Sequence, residues 1–312
     1  MTSTRTPLSQ NPSAVVMVRP DYFGVNAETA PDNRFQTTEA AGDRPKAIAE
    51  FDAMKAALRS AGVTVMSFRQ EREDTPDAVF PNNWFSTHHS GLIVQYPMLA
   101  QSRRRERRRD VFEALAKFHE ITGIVDLAGN EEHGAYLEGT GAVVFDHQER
   151  VAFMARSQRA DTGVLAKLCE TLDYVPQVFT AVDRAGVPIY HTNVMMSLGE
   201  KTALVGFDSV PYPDELLLLR RRIEATDRLL IELDNDQIAA FAGNALEVDG
   251  CDGPVLVISR RAWNSLRRDQ QADLERVVAV VTPELSTIEK SGGSARCMMA
   301  GIHLPLKKSA TA

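Results

Sequence analysis

A glycine-rich run ends in a cysteine at Ser291-Gly292-Gly293-Ser294-Ala295-Arg296-Cys297. Loops of this kind let backbone N–H groups approach a thiolate, which lowers its pKa and supplies donors to a developing oxyanion. The same residues would also suit a buried strand that begins at a free cysteine. A thiol nucleophile needs a base that titrates near neutrality. His191, in Pro188-Ile189-Tyr190-His191-Thr192-Asn193, follows an apolar segment where a turn can expose its ring; it would otherwise be a hydrogen-bonded structural residue. Glu138, in Tyr136-Leu137-Glu138-Gly139-Thr140-Gly141, is a carboxylate among apolar residues and glycines, buried for a purpose or set at a strand edge. Asp77 stands in Thr75-Pro76-Asp77-Ala78-Val79-Phe80-Pro81-Asn82-Asn83-Trp84, where polar residues interrupt an apolar run. Pro, Asp and Asn there equally make a capped turn.

The run Ser102-Arg103-Arg104-Arg105-Glu106-Arg107-Arg108-Arg109 places positive charge against a helix dipole. It is either a solvated face or a site where the helix start and one arginine hold a carboxylate. The histidines show no HExxH-like ligand spacing, so no metal or organic cofactor is expected. Three widely separated cysteines, Cys169, Cys251 and Cys297, argue against a disulfide scaffold or zinc knuckle and fit a reducing cytoplasm. Lys and Arg number 35 against 42 Asp and Glu, a net charge of −7 that argues against a nucleic-acid partner. The uncharged stretch from Ala78 to Ser102 holds too many polar residues and prolines to span a membrane. A small-molecule substrate is the expected partner, with a homo-oligomer left open.

To position these groups the chain alternates short strands and amphipathic helices. Strands are expected at Ala14–Val18, Val63–Phe68, Leu92–Gln95, Ala203–Phe207 and Val255–Ile258, with a hairpin from Ala142–Phe145 and Val151–Met154. A helix should start after Asp43 and Pro45 and stop at Gly62, its stripe being Ile48, Phe51, Lys55 and Leu58. Further helices are expected at Ser102–His119, Thr162–Leu172, Asp214–Leu230 and Arg267–Val278. This is an α/β pattern of hairpins plus helices, in units of roughly fifty to sixty residues whose sequences diverge. No Pro- or Ser-rich linker divides it. The expectation is one catalytic domain over residues 14–306, with a disordered tail over 1–13 and a short tail over 307–312.

In this order, Val-Arg-Pro-Asp-Tyr-Phe-Gly, Phe-Pro-Asn-Asn-Trp, Leu-Glu-Gly-Thr-Gly, Tyr-His-Thr-Asn and Gly-Gly-Ser-Ala-Arg-Cys span Val15 to Leu304. Together they resemble the guanidino-group-modifying superfamily of arginine deiminases, amidinotransferases and dimethylarginine dimethylaminohydrolases. Within it, the chain looks most like the arginine deiminase-related citrulline-utilisation hydrolases. The resemblance implies the pentein fold, a five-bladed α/β propeller of ββαβ modules with pseudo-fivefold symmetry. It makes Cys297 the nucleophile, His191 the general acid/base and Glu138 the carboxylate that binds the reacting group and orients the histidine. Asp77 would meet the substrate's α-amino group, and Arg103 (or Arg104) and Arg159 its carboxylate. Ser291, Asn82, Asn83 and Asn193 join the substrate-binding set, and Asn33 to Gln36 are candidate contacts from their place after the first strand.

Two departures bear on the substrate. Dimethylarginine hydrolases resemble this chain but carry Glu-Asp where it has Asn82-Asn83, and arginine deiminases carry an aspartate where it has Asn193. Guanidinium ions favour carboxylates, whereas a ureido group has both a carbonyl and N–H donors that amides can serve. The expectation is therefore hydrolysis of citrulline to ornithine, carbon dioxide and ammonia through a covalent Cys297 intermediate. The alternatives are an arginine deiminase or dihydrolase, a dimethylarginine dimethylaminohydrolase, an amidinotransferase and a non-catalytic binding protein.

Overall fold

The computed structural model describes residues 8–31, 33–37 and 43–308. Val15 to Val18 carry no polar alternation, and a strand without a polar face is buried on both sides. This is β1 (Ala14–Arg19), which runs parallel to β2 (Thr64–Arg69). The helix Arg44–Ser60 joins them and buries Ala47, Phe51, Met54 and Leu58 among Val15, Met17 and Val65. The stripe thus runs through Ala47 and Met54 in place of Ile48 and Lys55; the Lys55 amine lies over the Phe51 ring and pairs with Asp52.

The same arrangement recurs. β3 (Phe85–Thr87) and β4 (Leu92–Gln95) form a hairpin, and β5 (Gly123–Asp126) returns parallel to β4. β6 (Val143–Asp146), β7 (Val151–Ala155) and β8 (Val175–Phe179) repeat that order, with the helix Thr162–Leu172 before the third strand. So do β9 (Met196–Leu198), β10 (Thr202–Val205) and β11 (Leu229–Glu232), and β12 (Leu246–Gly250), β13 (Gly253–Val257) and β14 (Ala279–Val281). The last strand, β15 (Ala300–Ile302), crosses back to pair antiparallel with β1 and completes the first sheet. Every sheet therefore has three strands, an antiparallel pair and a helix-linked parallel third, the ββαβ module.

The edge strand that opens each module takes part in one shared cavity. Its wall includes residues of β3, β6, β9, β12 and β15. Neighbouring edge strands touch: β15 with β3, β6 with β9, and β9 with β12.

Several expectations need correction. The helix expected over Ser102–His119 is two, Gln101–Arg104 and Arg109–Phe118, because Glu106 turns inward to pair with Arg103. The helix expected over Asp214–Leu230 is Pro213–Glu224 followed by β11, and between them Arg228 is buried on Asp146. Residues 8–13 of the expected tail are packed: the Gln10 amide donates to Phe145 O and Leu198 O, and Asn11 donates to Glu247. Residues 1–7 and 309–312 lie outside the described residues. No described helix is long and apolar enough to cross a membrane.

Candidate active site

The residues with reactive side chains occupy equivalent places, just ahead of each edge strand. Asn82 and Asn83 close the turn before β3, Glu138 precedes β6, His191 precedes β9, Asn244 precedes β12 and Cys297 precedes β15. Glu138, His191, Asn244 and Cys297 follow one another at an interval of 53 residues (191 − 138, 244 − 191, 297 − 244). A repeated module thus delivers one polar side chain per repeat to one place. The Leu-Glu-Gly-Thr-Gly motif serves this convergence. Gly139 sits at φ +45°, and a Cβ there would lie 2.4 Å from Asn82 O; a Cβ on Gly141 would strike Asn83 Oδ1 and the His191 ring.

His191 Nε2 lies 2.8 Å from Glu138 Oε2, and both side chains are fully enclosed. Glu138 also accepts from Leu99 N at 3.1 Å and from Arg159 Nη1 at 3.3 Å. Burial would raise this carboxyl, but Arg159, the His191 hydrogen bond and Arg103 outweigh it and hold Glu138 well below the carboxylate range. Burial lowers His191, partly opposed by Glu138, so the ring is neutral at physiological pH. With Nε2–H given to Glu138, Nδ1 carries the basic lone pair.

The Cys297 sulfur has two amide neighbours, Asn244 Nδ2 at 3.2 Å and Asn193 Nδ2 at 3.4 Å. Asn244 Oδ1 also accepts from Cys297 N at 3.4 Å, and its amide donates to Asn193 O. The hydrogen-bond donors on sulfur are therefore side-chain amides from two other modules, in place of the glycine-loop N–H groups expected from sequence. Cys297 lies ahead of β15 and does not begin that strand.

At the other end of the cavity Asp77 accepts from Asn26 Nδ2 (2.8 Å) and Thr29 Oγ1 (3.2 Å), while Arg103 Nε stands 4.0 Å away. Arg103 makes a two-pronged pair with Glu106, 3.0 Å at each contact, and donates to Phe80 O. Burial raises the Asp77 carboxyl despite Arg103, and it pushes Glu106 up to about 7. Residues 33–37 pack beside the cavity, and Asn33 lines it. Asn33 Nδ2 donates to Gly292 O, Gln36 bridges to Ser291, Thr37 N donates to Lys290 O, and Phe35 packs on Tyr190 and Phe241.

The reaction cavity is lined by residues that include Asn33, Asp77, Asn83, Arg103, Arg159, His191, Ser291 and Cys297. Three of these present a buried oxygen with no hydrogen-bond partner among the described residues: Asp77 Oδ1, Asn83 Oδ1 and Ser291 Oγ. The cavity is thus rich in acceptors. Arg104 turns away to Met98 O and Leu99 O, so Arg103 is the arginine of that run in the wall. Asn82 and Asn193 are buried beside the cavity and are not part of its wall, and of residues 33–36 only Asn33 is. Sequence reading missed Asn244, Asn26 and Thr29; the 53-residue interval is the signal that would have found Asn244. No group of three or more His, Cys, Asp or Glu among the described residues is placed to hold a metal.

The family model described as N,N dimethylarginine dimethylhydrolase, eukaryotic, matches residues 19–304. The chain belongs to this family. Solved structures of guanidino-modifying enzymes share its fold. The N-terminal domain of ArgZ, a cyanobacterial arginine dihydrolase, bound to substrate, is 17% identical with TM-score 0.72, covering 94% of this chain and 98% of that domain. AgrE in complex with L-arginine is 17% identical with TM-score 0.75, covering 95% of this chain and 41% of the other. A dimethylarginine dimethylaminohydrolase adduct with 4-chloro-2-hydroxymethylpyridine is 14% identical with TM-score 0.64, covering 93% and 99%. The chain spans about two fifths of the length of intact ArgZ and AgrE. No curated protein sequence matches it. Family members are hydrolases of guanidino carbon–nitrogen bonds, the enzyme class expected from the sequence.

Proposed function

We propose that the chain hydrolyses a terminal guanidino carbon–nitrogen bond of free arginine, or of an arginine substituted on that group, through a covalent intermediate on Cys297. The observation that carries this is the acceptor-lined cavity around Cys297. A guanidinium has five N–H donors and no acceptor, and the wall offers it the unpartnered oxygens of Asn83 and Ser291, with Asp77 left for the α-amino group. This reverses the preference for citrulline drawn from Asn82, Asn83 and Asn193. Only Asn83 of the three is in the wall, and it presents its oxygen. Structures of arginine dihydrolases and a dimethylarginine hydrolase on the same fold support the reading.

In the proposed reaction the Cys297 sulfur attacks the guanidino carbon, and the two asparagine amides steady it. His191 takes the proton of the Cys297 thiol as the sulfur attacks and gives it to the departing nitrogen as the carbon–nitrogen bond breaks. A thiouronium remains on Cys297. His191 then removes a proton from water, whose oxygen bonds to the carbon, and the carbon–sulfur bond breaks to restore the thiolate. Glu138 holds the imidazole and balances its charge when protonated. Asp77 receives the α-amino group, and Arg103 and Arg159 attract the α-carboxylate. The proposed architecture around the site is a five-bladed propeller with pseudo-fivefold symmetry; support comes from the five like modules and the cavity their edge strands share.

Citrulline is the second reading, because the Asn83 amide can turn to give an N–H to a ureido carbonyl. Parallel assays of arginine, dimethylarginine and citrulline, following amine or ammonia release and the amino-acid product, decide between them. Turnover of citrulline with none of either guanidine would overturn the arginine reading.

A further inference from the structure

Adjacent residues face two different cavities. Cys297 lines the reaction cavity, whereas Arg296 lines a second space among the edge strands of the five sheets. Nothing in the proposed reaction uses that second space, yet its wall includes a cluster of ionisable groups. His88, His147 and His303 contribute to it beside Arg296. The His147 and His303 ring centroids are 4.3 Å apart, and those of His88 and His147 are 6.5 Å apart. Three neighbouring imidazoles and a guanidinium repel one another whenever the rings are charged.

Such a cluster would ordinarily be balanced by carboxylates. Here no Asp or Glu lines the cavity, and those on the strands that do are committed elsewhere. Asp146 is paired with Arg228. Glu247 is filled by Asn11 and by the backbone N–H groups of Glu200, Lys201 and Thr202. The Arg296 guanidinium donates to Met299 O at 2.8 Å and has no ion pair among the described residues. Burial draws its pKa down to about 10, with Cys297 as the one charge that opposes the change. Burial, neighbouring histidines and Arg296 hold His147 and His303 well below the usual histidine range, and burial with His89 holds His88 down at about 3.

Two of the buried polar atoms that have no partner among the described residues lie on these groups. His88 is 4% exposed, and its Nε2 is engaged by Ser86 Oγ while its Nδ1 has no partner. His303 Nδ1 is likewise unpartnered. A metal is a poor occupant, since Arg296 would repel it and no metal-binding group of three ligands is formed. An oxyanion fits each feature, because guanidinium binds its oxygens in pairs and an imidazole N–H can donate to the remainder.

We propose that this space is a binding site for a small oxyanion, a phosphate or carboxylate group, held by Arg296 together with His88, His147 and His303. The site communicates with the reaction cavity through the Arg296–Cys297 peptide. The cation of Arg296 and the Cys297 thiolate attract one another, and an anion on Arg296 weakens that attraction. Occupancy therefore slows the chemistry of Cys297, and by linkage reaction of the thiolate disfavours the anion.

The test is calorimetric titration of the whole protein with inorganic phosphate and, separately, with succinate, which distinguishes an inorganic source from an organic carboxylate. The expected result is one saturable site for at least one of them, weakened at least tenfold by Arg296→Met and by His303→Gln, and unchanged by Arg103→Gln in the reaction cavity. Thermal unfolding should rise with the anion in wild-type protein and in Arg103→Gln, and much less in His303→Gln, which keeps the test open should Arg296→Met fail to fold. Saturation should also lower the alkylation rate of Cys297. Absence of saturable binding for both anions overturns the proposal. So does binding that Arg103→Gln abolishes while His303→Gln leaves it intact, since the anion would then occupy the reaction cavity.

Discussion

Asn244 grips Cys297 with both ends of its amide: Nδ2 is 3.2 Å from the sulfur and Oδ1 is 3.4 Å from the backbone nitrogen. It fixes where the sulfur sits and offers it a donor. Asn244→Ala removes both contacts. A hydrogen bond to a charged group contributes about 1.5–3 kcal/mol, so kcat/KM for the preferred substrate should fall roughly 10- to 100-fold. Alkylation of Cys297 should slow in parallel. Unchanged alkylation and turnover would remove Asn244 from the account.

The pairing of His191 with Glu138 predicts a pH signature. Burial lowers His191, and Glu138 opposes that lowering. A base must be neutral to accept a proton, so the acid limb of kcat/KM should lie below the ordinary histidine value of about 6.5. Glu138→Gln withdraws the opposing influence, so the limb should move further towards acid while the plateau falls roughly 100-fold or more. A limb that moves up on this substitution would contradict the assignment.

Asp77 should show a conflict between stability and activity. Its folded carboxyl is raised above the unfolded value by burial. For an acid shifted in this direction, ionisation disfavours the folded state, and the cost grows as pH rises above the unfolded pKa. Asp77→Asn should therefore leave thermal unfolding at pH 7 unchanged or move it upwards, while kcat/KM falls roughly 10- to 100-fold through loss of a charged contact. A clear drop in thermal stability would contradict the burial argument.

Much of this was legible in the sequence, for physical reasons particular to each segment. The helix Thr162–Leu172 was read to the residue because Asp161 caps it and Val164, Leu165, Leu168 and Leu172 repeat along one face. Cys297, His191 and Glu138 each stand in a short motif of glycines or turn formers, but only the order of those motifs, through the family resemblance, joined them as a set. The breaks near Glu106 and Arg228 were not legible, since each depends on a buried ion pair with a distant or turned-back partner. Asn244 has no motif of its own, and only the module repeat gives it a place. The preference for citrulline rested on three asparagines whose relation to the cavity no spacing could reveal.

The segment beside the cavity should govern entry. Phe35 anchors it against Phe241, with ring centroids 4.8 Å apart, and against Tyr190 at 6.1 Å. Phe35→Ala should raise KM about tenfold with a smaller change in kcat, given that such aromatic contacts contribute about 0.5–1.5 kcal/mol beyond area burial. It should also accelerate labelling of Cys297 by bulky thiol reagents. Slower labelling would show that the segment does not restrict entry.

The central claim is that Cys297 forms a bond to the guanidino carbon. Protein mixed with arginine labelled at that carbon, quenched in acid during turnover and digested, should show the label on the Cys297 peptide. Cys169 should be silent, since burial pushes its thiol up to about 11, and exposed Cys251 serves as the internal control. The account predicts a labelled thiouronium on Cys297 that disappears in Cys297→Ala together with turnover. Continued turnover in Cys297→Ala, with no label on any cysteine, would contradict it.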